Sequence, residues 1–281
     1  MVDPAIAVDV TLVLAALVAG AGAIAGALGA LLGLGGGVFL VPFLVIGLHL
    51  PMRLAVGVSL TTVIATSSAV SAGTAGRQLI NLKLGLLLEV ATAAGGLLGG
   101  VTAVALSPRT LAWLFSLVTG GIAVVTLARL HRRNILEPSV DPGRWGGRFH
   151  DEDTGETVTY RVRRLPLALT GSFLAGNLST LLGIGGGVIK VPMLNAWCGV
   201  PMRVAAATSA FMIGVTATSG AIVYYGQGAI LPGLAAAAVL GVQVGSWFGL
   251  RFGGRSRVRE LKLLLAIVLV VVSVLMVWRV G

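Results

Sequence analysis

Long uninterrupted apolar runs dominate the chain, and most polar residues fall between them. A helix needs about 20 apolar residues to cross a bilayer. Six runs reach that length, at 54–76, 84–106, 110–130, 204–225, 230–250 and 261–280. Two further apolar regions, 11–50 and 165–200, are interrupted by glycines. Because the runs are continuous and do not alternate with polar residues, the pattern excludes a membrane β-barrel and predicts an all-α integral membrane protein.

The chain contains an internal repeat. Residues 31–44 read LLGLGGGVFLVPFL and residues 181–194 read LLGIGGGVIKVPML, so the second copy follows 150 positions after the first (181 against 31). The tripeptide Pro-Met-Arg at 51–53 recurs at 201–203 with the same displacement. A repeat of this length predicts two copies of one structural unit. We assign the first membrane repeat to 1–130 and the second to 165–281.

The segment between the repeats, 131–164, is the one long hydrophilic stretch of the chain. Within it, Arg148-Phe149-His150 and residues 157–162 flank the turn-forming sequence Asp153-Thr154-Gly155. This order of strand-forming and turn-forming residues predicts a short β-hairpin in the linker.

Basic residues predict the orientation of the repeats. The linker region is rich in arginine, and a second basic cluster lies at 251–262. Both should be cytoplasmic by the positive-inside rule. This requires 165–200 to enter and leave the membrane on one side, as a re-entrant hairpin or as two short helices. Each half then has one glycine-broken hairpin and three full spans. An odd number of crossings per half makes the repeats inverted and places both termini outside.

Composition narrows the class of protein. The chain has 281 residues, of which 56% are hydrophobic and 11% charged, against roughly 25% charged in soluble domains. This excludes a soluble enzyme, a disordered chain and a disulfide scaffold. The net charge is +10, but the basic residues flank apolar segments, where they meet anionic lipid, so we expect no nucleic-acid partner.

Sequence motifs for catalysis are missing. The chain has no G-x-x-x-x-G-K-[ST], no G-x-S-x-G and no H-E-x-x-H motif, so we expect neither an enzyme nor a bound cofactor. Cys198 is the single cysteine, and the three histidines show no ligand spacing. No metal site is therefore expected.

The two glycine breaks are the strongest candidates for a binding site. They comprise Gly35, Gly36 and Gly37 in the first repeat and Gly185, Gly186 and Gly187 in the second. Irregular backbone at membrane depth occurs only where it is buried in protein or lines a cavity. A helix that restarts after such a break has unpaired N–H groups and the positive end of its dipole, which together favour an anion. Alternatively, the glycines only permit close helix packing.

The doubled GxGGG-x-x-x-x-P element, the basic linker and the eight or so hydrophobic segments resemble the sulfite exporter TauE/SafE family. The resemblance covers nearly the whole chain. It implies a membrane transporter for sulfite, sulfonates or related small sulfur-containing anions, and it specifies neither the ligand nor the direction.

Lys190 is the only basic residue inside an apolar segment. A buried cation is costly unless it is paired or solvated. Since no acid lies nearby in sequence, an anionic ligand is one expected partner; the alternative is that Lys190 snorkels toward the headgroups. Glu89 is the only acid within an apolar segment. It could carry a proton for coupled transport, but its position six residues after Lys83 favours a solvated glutamate.

Other polar residues near the repeated motif are candidate ligands for an oxyanion. Hydroxyl groups can donate hydrogen bonds without leaving a buried charge in the empty site; in packing, they can equally join helices. Arg53 and Arg203 could attract anions or anchor the helices at the headgroups. The remaining candidate substrate-binding residues are Ser59, Thr208, Ser209 and Asn195.

The residues predict a secondary transporter of a small oxyanion that works by alternating access, and the resemblance implies that this oxyanion contains sulfur. An inside-negative potential drives an anion outward by about 2.3 kcal/mol per charge per 100 mV, which favours export. Three alternatives stay open: an anion channel, a proton-coupled sulfonate importer and a non-transporting membrane scaffold. The expected partners are the small anion and the lipid bilayer of the cell membrane, and a homodimer is compatible with the pattern.

Overall fold

The computed structural model describes residues 11–74, 79–128, 141–151, 155–253 and 258–280. The first repeat contains α1 (Leu12–Leu32), α2 (Gly37–Pro42, continued by a π-helical turn over Phe43–Gly47), α3 (Met52–Gly73), α4 (Leu82–Ala105) and α5 (Pro108–Ala128). The linker forms β1 (Gly147–Asp151) and β2 (Glu156–Tyr160). The second repeat contains α6 (Leu165–Leu182), α7 (Gly187–Ala196), α8 (Met202–Gly226), α9 (Pro232–Gly253) and α10 (Val258–Val280).

Seven helices of the described chain are long and apolar enough to cross a membrane. The all-α membrane class is therefore confirmed. The glycine-broken regions differ from two short helices, because their first arms, α1 and α6, have 21 and 18 residues and are among the seven. Only their second arms, which include α2 and α7, are short. Helix α10, which covers the predicted span 261–280, has 23 residues.

Each glycine break folds the chain back along the helix that precedes it. Gly35, Gly36, Gly185 and Gly186 all have positive φ, between 63° and 84°, a backbone conformation that glycine adopts without strain. The backbone amide of Arg163, before α6, donates to the carbonyl of Cys198, after α7, at 2.9 Å. Both ends of the α6–α7 hairpin therefore lie at one end of the molecule.

The helices pair in a pattern that the two repeats share. α1 packs on α9 as α4 packs on α6, and α3 packs on its repeat mate α8 as α5 packs on α10. Close contacts through glycine hold the first two pairs together, since a Cβ atom on Gly245 would overlap the carbonyl oxygen of Ala23. At the α1–α9 and α4–α6 contacts, glycine therefore serves to let the helices pack closely.

Helices α3 and α8 run antiparallel. Near the end of α3, Ser67 Oγ donates to the carbonyl of Ala210, early in α8, at 2.6 Å. Near the start of α3, Gly57 lies against the carbonyl of Ala229, which follows α8. The two helices that follow the repeated Pro-Met-Arg motif thus point in opposite directions.

The linker forms an antiparallel β-hairpin with Gly147 opposite Tyr160 and Asp151 opposite Glu156, and its second strand ends two residues before the predicted bound at 162. Asn81, the N-cap of α4, donates through Nδ2 to the carbonyl of Trp145 at 2.8 Å and to Tyr160 Oη at 2.9 Å. Burial raises the pKa of the Tyr160 phenol. The side chain of Phe149 is also buried, in one apolar cluster with residues of α4, α7 and α8. The hairpin therefore covers the end of the molecule at which α4 begins and α7 ends.

Candidate functional site

The two glycine breaks meet at the centre of the contact between the repeats. A Cβ atom on Gly37 would overlap the carbonyl oxygen of Gly183, and one on Gly187 would overlap the carbonyl oxygen of Gly33. Ser59 Oγ donates to the carbonyl of Gly183 at 2.7 Å. The sequence places the breaks 150 residues apart (187 against 37), and folding brings them into direct contact.

In this conformation, apolar side chains close both breaks. A Cβ atom on Gly35 would lie 2.8 Å from Ile213 Cδ1, and one on Gly185 would lie 3.2 Å from Val63 Cγ1. Val63 and Ile213 are themselves buried. Side chains of the opposite repeat therefore cover the backbone at Gly35 and Gly185.

Both breaks lead into a second helix in the same way. The backbone amides of Ile189 and Lys190 donate to the carbonyl of Gly186, at 3.1 and 3.0 Å, as those of Phe39 and Leu40 donate to the carbonyl of Gly36, at 3.0 and 3.2 Å. Helix α7 has 10 residues, and α2 has six followed by a five-residue π-helical turn. The positive end of a helix dipole therefore lies at each break.

Three buried hydroxyl groups near the breaks have no hydrogen-bond partner within the described residues: those of Ser179, Thr180 and Ser209. Ser209 is the repeat mate of Ser59, whose hydroxyl is satisfied. Sequence reasoning missed Ser179 and Thr180. A comparison of the two repeats could have found them, because the second copy has hydroxyl residues at these two positions where the first copy has Gly29 and Ala30. A buried unsatisfied hydroxyl is unfavourable, so these groups mark where a polar ligand would be stabilised.

A buried pair of opposite charges lies beside the second break. Lys190 Nζ is 3.9 Å from Glu89 Oε2 and 3.4 Å from Thr216 Oγ1. Thr216 Oγ1 is also 2.9 Å from Glu89 Oε1, to which it donates. Lys190 and Thr216 are fully buried, and Glu89 is 6% exposed. The cluster therefore joins α4 of the first repeat to α7 and α8 of the second.

Two expectations from the sequence are wrong at this cluster. Glu89 is not a solvated glutamate, because the packing of α4 against α6 and α8 buries it. The side chain of Lys190 does not extend to a headgroup. It has an acidic neighbour in space, because Glu89 lies beside it. The acid is distant in sequence, so only the packing of the repeats reveals the pair.

The charged cluster has no counterpart in the other half. At the positions equivalent to Glu89 and Lys190, the chain has Val239 and Leu40. Thr66, the mate of Thr216, bonds instead to the carbonyls of Thr62 and Gly35, at 2.9 and 3.3 Å. The charged groups at the contact between the repeats therefore lie beside the second break and not beside the first.

Other candidate ligands make structural contacts away from the breaks. Thr208 Oγ1 accepts a hydrogen bond from the amide of Asn81 at 3.0 Å, and Asn195 Nδ2 donates to the carbonyl of Val200 at 3.0 Å. The guanidinium of Arg53 donates to the carbonyls of Val104 and Leu106, at 2.8 and 3.1 Å, at the end of α4.

Arg203 is half-buried in the first turn of α8. No group of three or more metal-ligating side chains occurs in the part of the chain that the structure describes.

Comparison with known proteins identifies the family of the chain. Residues 18–276 match the family model for the sulfite exporter TauE/SafE family. The chain is 25% identical over 253 residues to "Probable membrane transporter protein YunE" of Bacillus subtilis (strain 168), covering 88% of this chain and 91% of the relative.

Two relatives from Arabidopsis thaliana share shorter stretches. "Sulfite exporter TauE/SafE family protein 6" is 40% identical over 70 residues, which is 25% of this chain and 16% of the relative. Family protein 5 is 45% identical over 53 residues, 19% and 12% of the two chains. No solved structure matches significantly. Since the family model spans nearly the whole chain, the protein belongs to the sulfite exporter TauE/SafE family of multi-pass membrane transporters.

Proposed function

We propose that the protein is a secondary transporter that exports small sulfur-containing oxyanions, such as sulfite or organosulfonates, by alternating access. The observation that carries the proposal is the meeting of the two glycine breaks between the repeats, beside buried hydroxyls without partners. Family membership and the names of the two Arabidopsis relatives support the class of substrate.

The closed breaks fit an occluded state of such a transporter. Val63 and Ile213 fill the space at the breaks, so substrate access requires one repeat to move against the other. Rocking of repeats around a central site is a common route to alternating access. When the repeats separate, backbone amides at the second break and the hydroxyls of Ser179, Thr180 and Ser209 become available to replace the hydration shell of the anion.

The proposal includes an inverted topology, with the linker 131–164 in the cytoplasm and both termini outside. The antiparallel arrangement of α3 and α8 supports the inversion, and the arginines around the linker support its cytoplasmic location. Labelling tests this arrangement: in a Cys198→Ala background, a cysteine replacing Arg148 should react with an impermeant maleimide only after the membrane is opened.

Flux through purified protein in liposomes tests the transport activity. With an inside-negative potential, we expect net efflux of internal sulfite, and Ser209→Ala should reduce it severalfold. Ser116→Ala is the matched control, because Ser116 is a buried serine of α5 whose hydroxyl bonds within its own helix. Absence of flux for every sulfur oxyanion would contradict the proposal, and ion currents far above turnover rates would identify a channel instead.

A further inference from the structure

The contact between Glu89 and Lys190 is long for a buried ion pair. Charge-assisted hydrogen bonds between ammonium and carboxylate groups are typically about 2.7–2.9 Å long, whereas Lys190 Nζ and Glu89 Oε2 are 3.9 Å apart. Glu89 Oε2 accepts no hydrogen bond from any described residue. The ammonium group has three donors, but within the described part of the chain it donates only the 3.4 Å hydrogen bond to Thr216.

The geometry leaves bonding capacity unused on both charged groups. Glu89 Oε1 accepts a hydrogen bond from the Thr216 hydroxyl at 2.9 Å, while Oε2 lies 3.9 Å from Lys190 Nζ. Removing either charge alone would leave the other buried without a partner, which is strongly destabilising. The pair therefore neutralises the site without saturating it, so a competing anion with better geometry can replace the carboxylate.

We propose that the Glu89 carboxylate is an internal substitute for the transported anion, and that a substrate oxyanion displaces it from Lys190 and Thr216. The inference rests on the proposed function and specifies its site. The ligand is an oxyanion with at least two acceptor oxygens, one for the Lys190 ammonium and one for the Thr216 hydroxyl. Since the other half has Val239 and Leu40 at the equivalent positions, one anion binds per chain.

Displacement explains how a deeply buried cation serves a transport cycle. A permanently empty site would hold an unpaired ammonium in a low-dielectric interior, at a cost of several kcal/mol. With Glu89 as a substitute, Lys190 faces a negative group both before the anion arrives and after it leaves. The carboxylate also competes with the substrate, which limits affinity and promotes release.

Binding to a Glu89→Gln variant tests the inference. The amide keeps an acceptor for Thr216 but removes the competing charge, so calorimetry with sulfite should show a dissociation constant at least about tenfold lower than that of the wild type. In liposomes, both KM and kcat should fall because release slows. Thr216→Val should weaken binding, whereas Thr119→Val should not, since Thr119 is a buried threonine of α5 that bonds within its own helix.

A second variant and a second readout keep the outcomes distinct. Glu89→Asp retains the charge on a shorter side chain and should give an affinity between those of the wild type and Glu89→Gln. Unchanged or weaker sulfite affinity in Glu89→Gln, with wild-type flux intact, would overturn the substitute role while leaving the transport function standing. Tighter binding in Glu89→Gln without any flux in the wild type would instead overturn transport while leaving the anion site standing.

Discussion

Removing one charge of the buried pair should destabilise the protein more than removing both. At the observed separation of 3.9 Å, two unit charges attract by about 4 kcal/mol at an effective dielectric constant of about 20. Lys190→Met leaves the Glu89 carboxylate buried without its cation, and Glu89→Leu leaves the ammonium without its anion. Each single variant should lose about 3 kcal/mol of unfolding free energy, since loss of a partner leaves a buried charge uncompensated.

The double variant Glu89→Leu with Lys190→Met removes both charges and fills their place with hydrocarbon. It should lose only about 2 kcal/mol, which gives a coupling energy of about 4 kcal/mol between the two sites. Reversible unfolding in mixed detergent micelles, followed by circular dichroism, measures all four proteins. Lys83→Met is the control, because Lys83 is exposed in the first turn of α4. If the double variant lost the sum of the single effects, about 6 kcal/mol, the two residues would not act as a pair.

Three further predictions concern packing and the linker end of the molecule. Gly245→Ala should cost about 2 kcal/mol in the same unfolding assay, because its Cβ would overlap a carbonyl of α1, whereas Gly121→Ala, where a Cβ meets open space, should stabilise by up to about 1 kcal/mol. Ser67→Ala should cost about 1 kcal/mol through its lost hydrogen bond to α8, and Ser68→Ala, at an exposed neighbour, close to nothing. Burial raises the pKa of the Cys198 thiol, so maleimide labelling should require a higher pH than a free cysteine peptide does; an ordinary pH profile would contradict the burial.

The sequence predicted the helices well because span length is a one-dimensional property. A bilayer requires about 20 apolar residues whatever the tertiary contacts, and runs such as 84–106 and 204–225 meet that requirement directly. Their helices, Leu82–Ala105 and Met202–Gly226, begin and end within two residues of the predicted bounds. The linker hairpin was likewise predictable, since turn and strand preferences are local.

The contacts between repeats were harder to predict because they join residues that are remote in the chain. Glu89 was expected in solvent from its distance to Lys83 along the sequence, but two turns of helix carry it into the contact with α8. Thr208 was expected at the substrate site from its closeness to the repeated Pro-Met-Arg, yet its hydroxyl accepts from the amide of Asn81 at the start of α4. Hydroxyl residues near a motif have several possible partners, and only the packing decides among them.

The placement of the charge pair also bears on the difference between the two copies. Its carboxylate comes from one copy of the repeated unit and its ammonium from the other, although both copies share the glycine break. An assembly of two identical units would have to carry such a pair twice or not at all. A single polypeptide whose two copies differ in sequence can place ions at one of the two symmetry-related positions while the other, with Leu40 and Val239, is hydrocarbon.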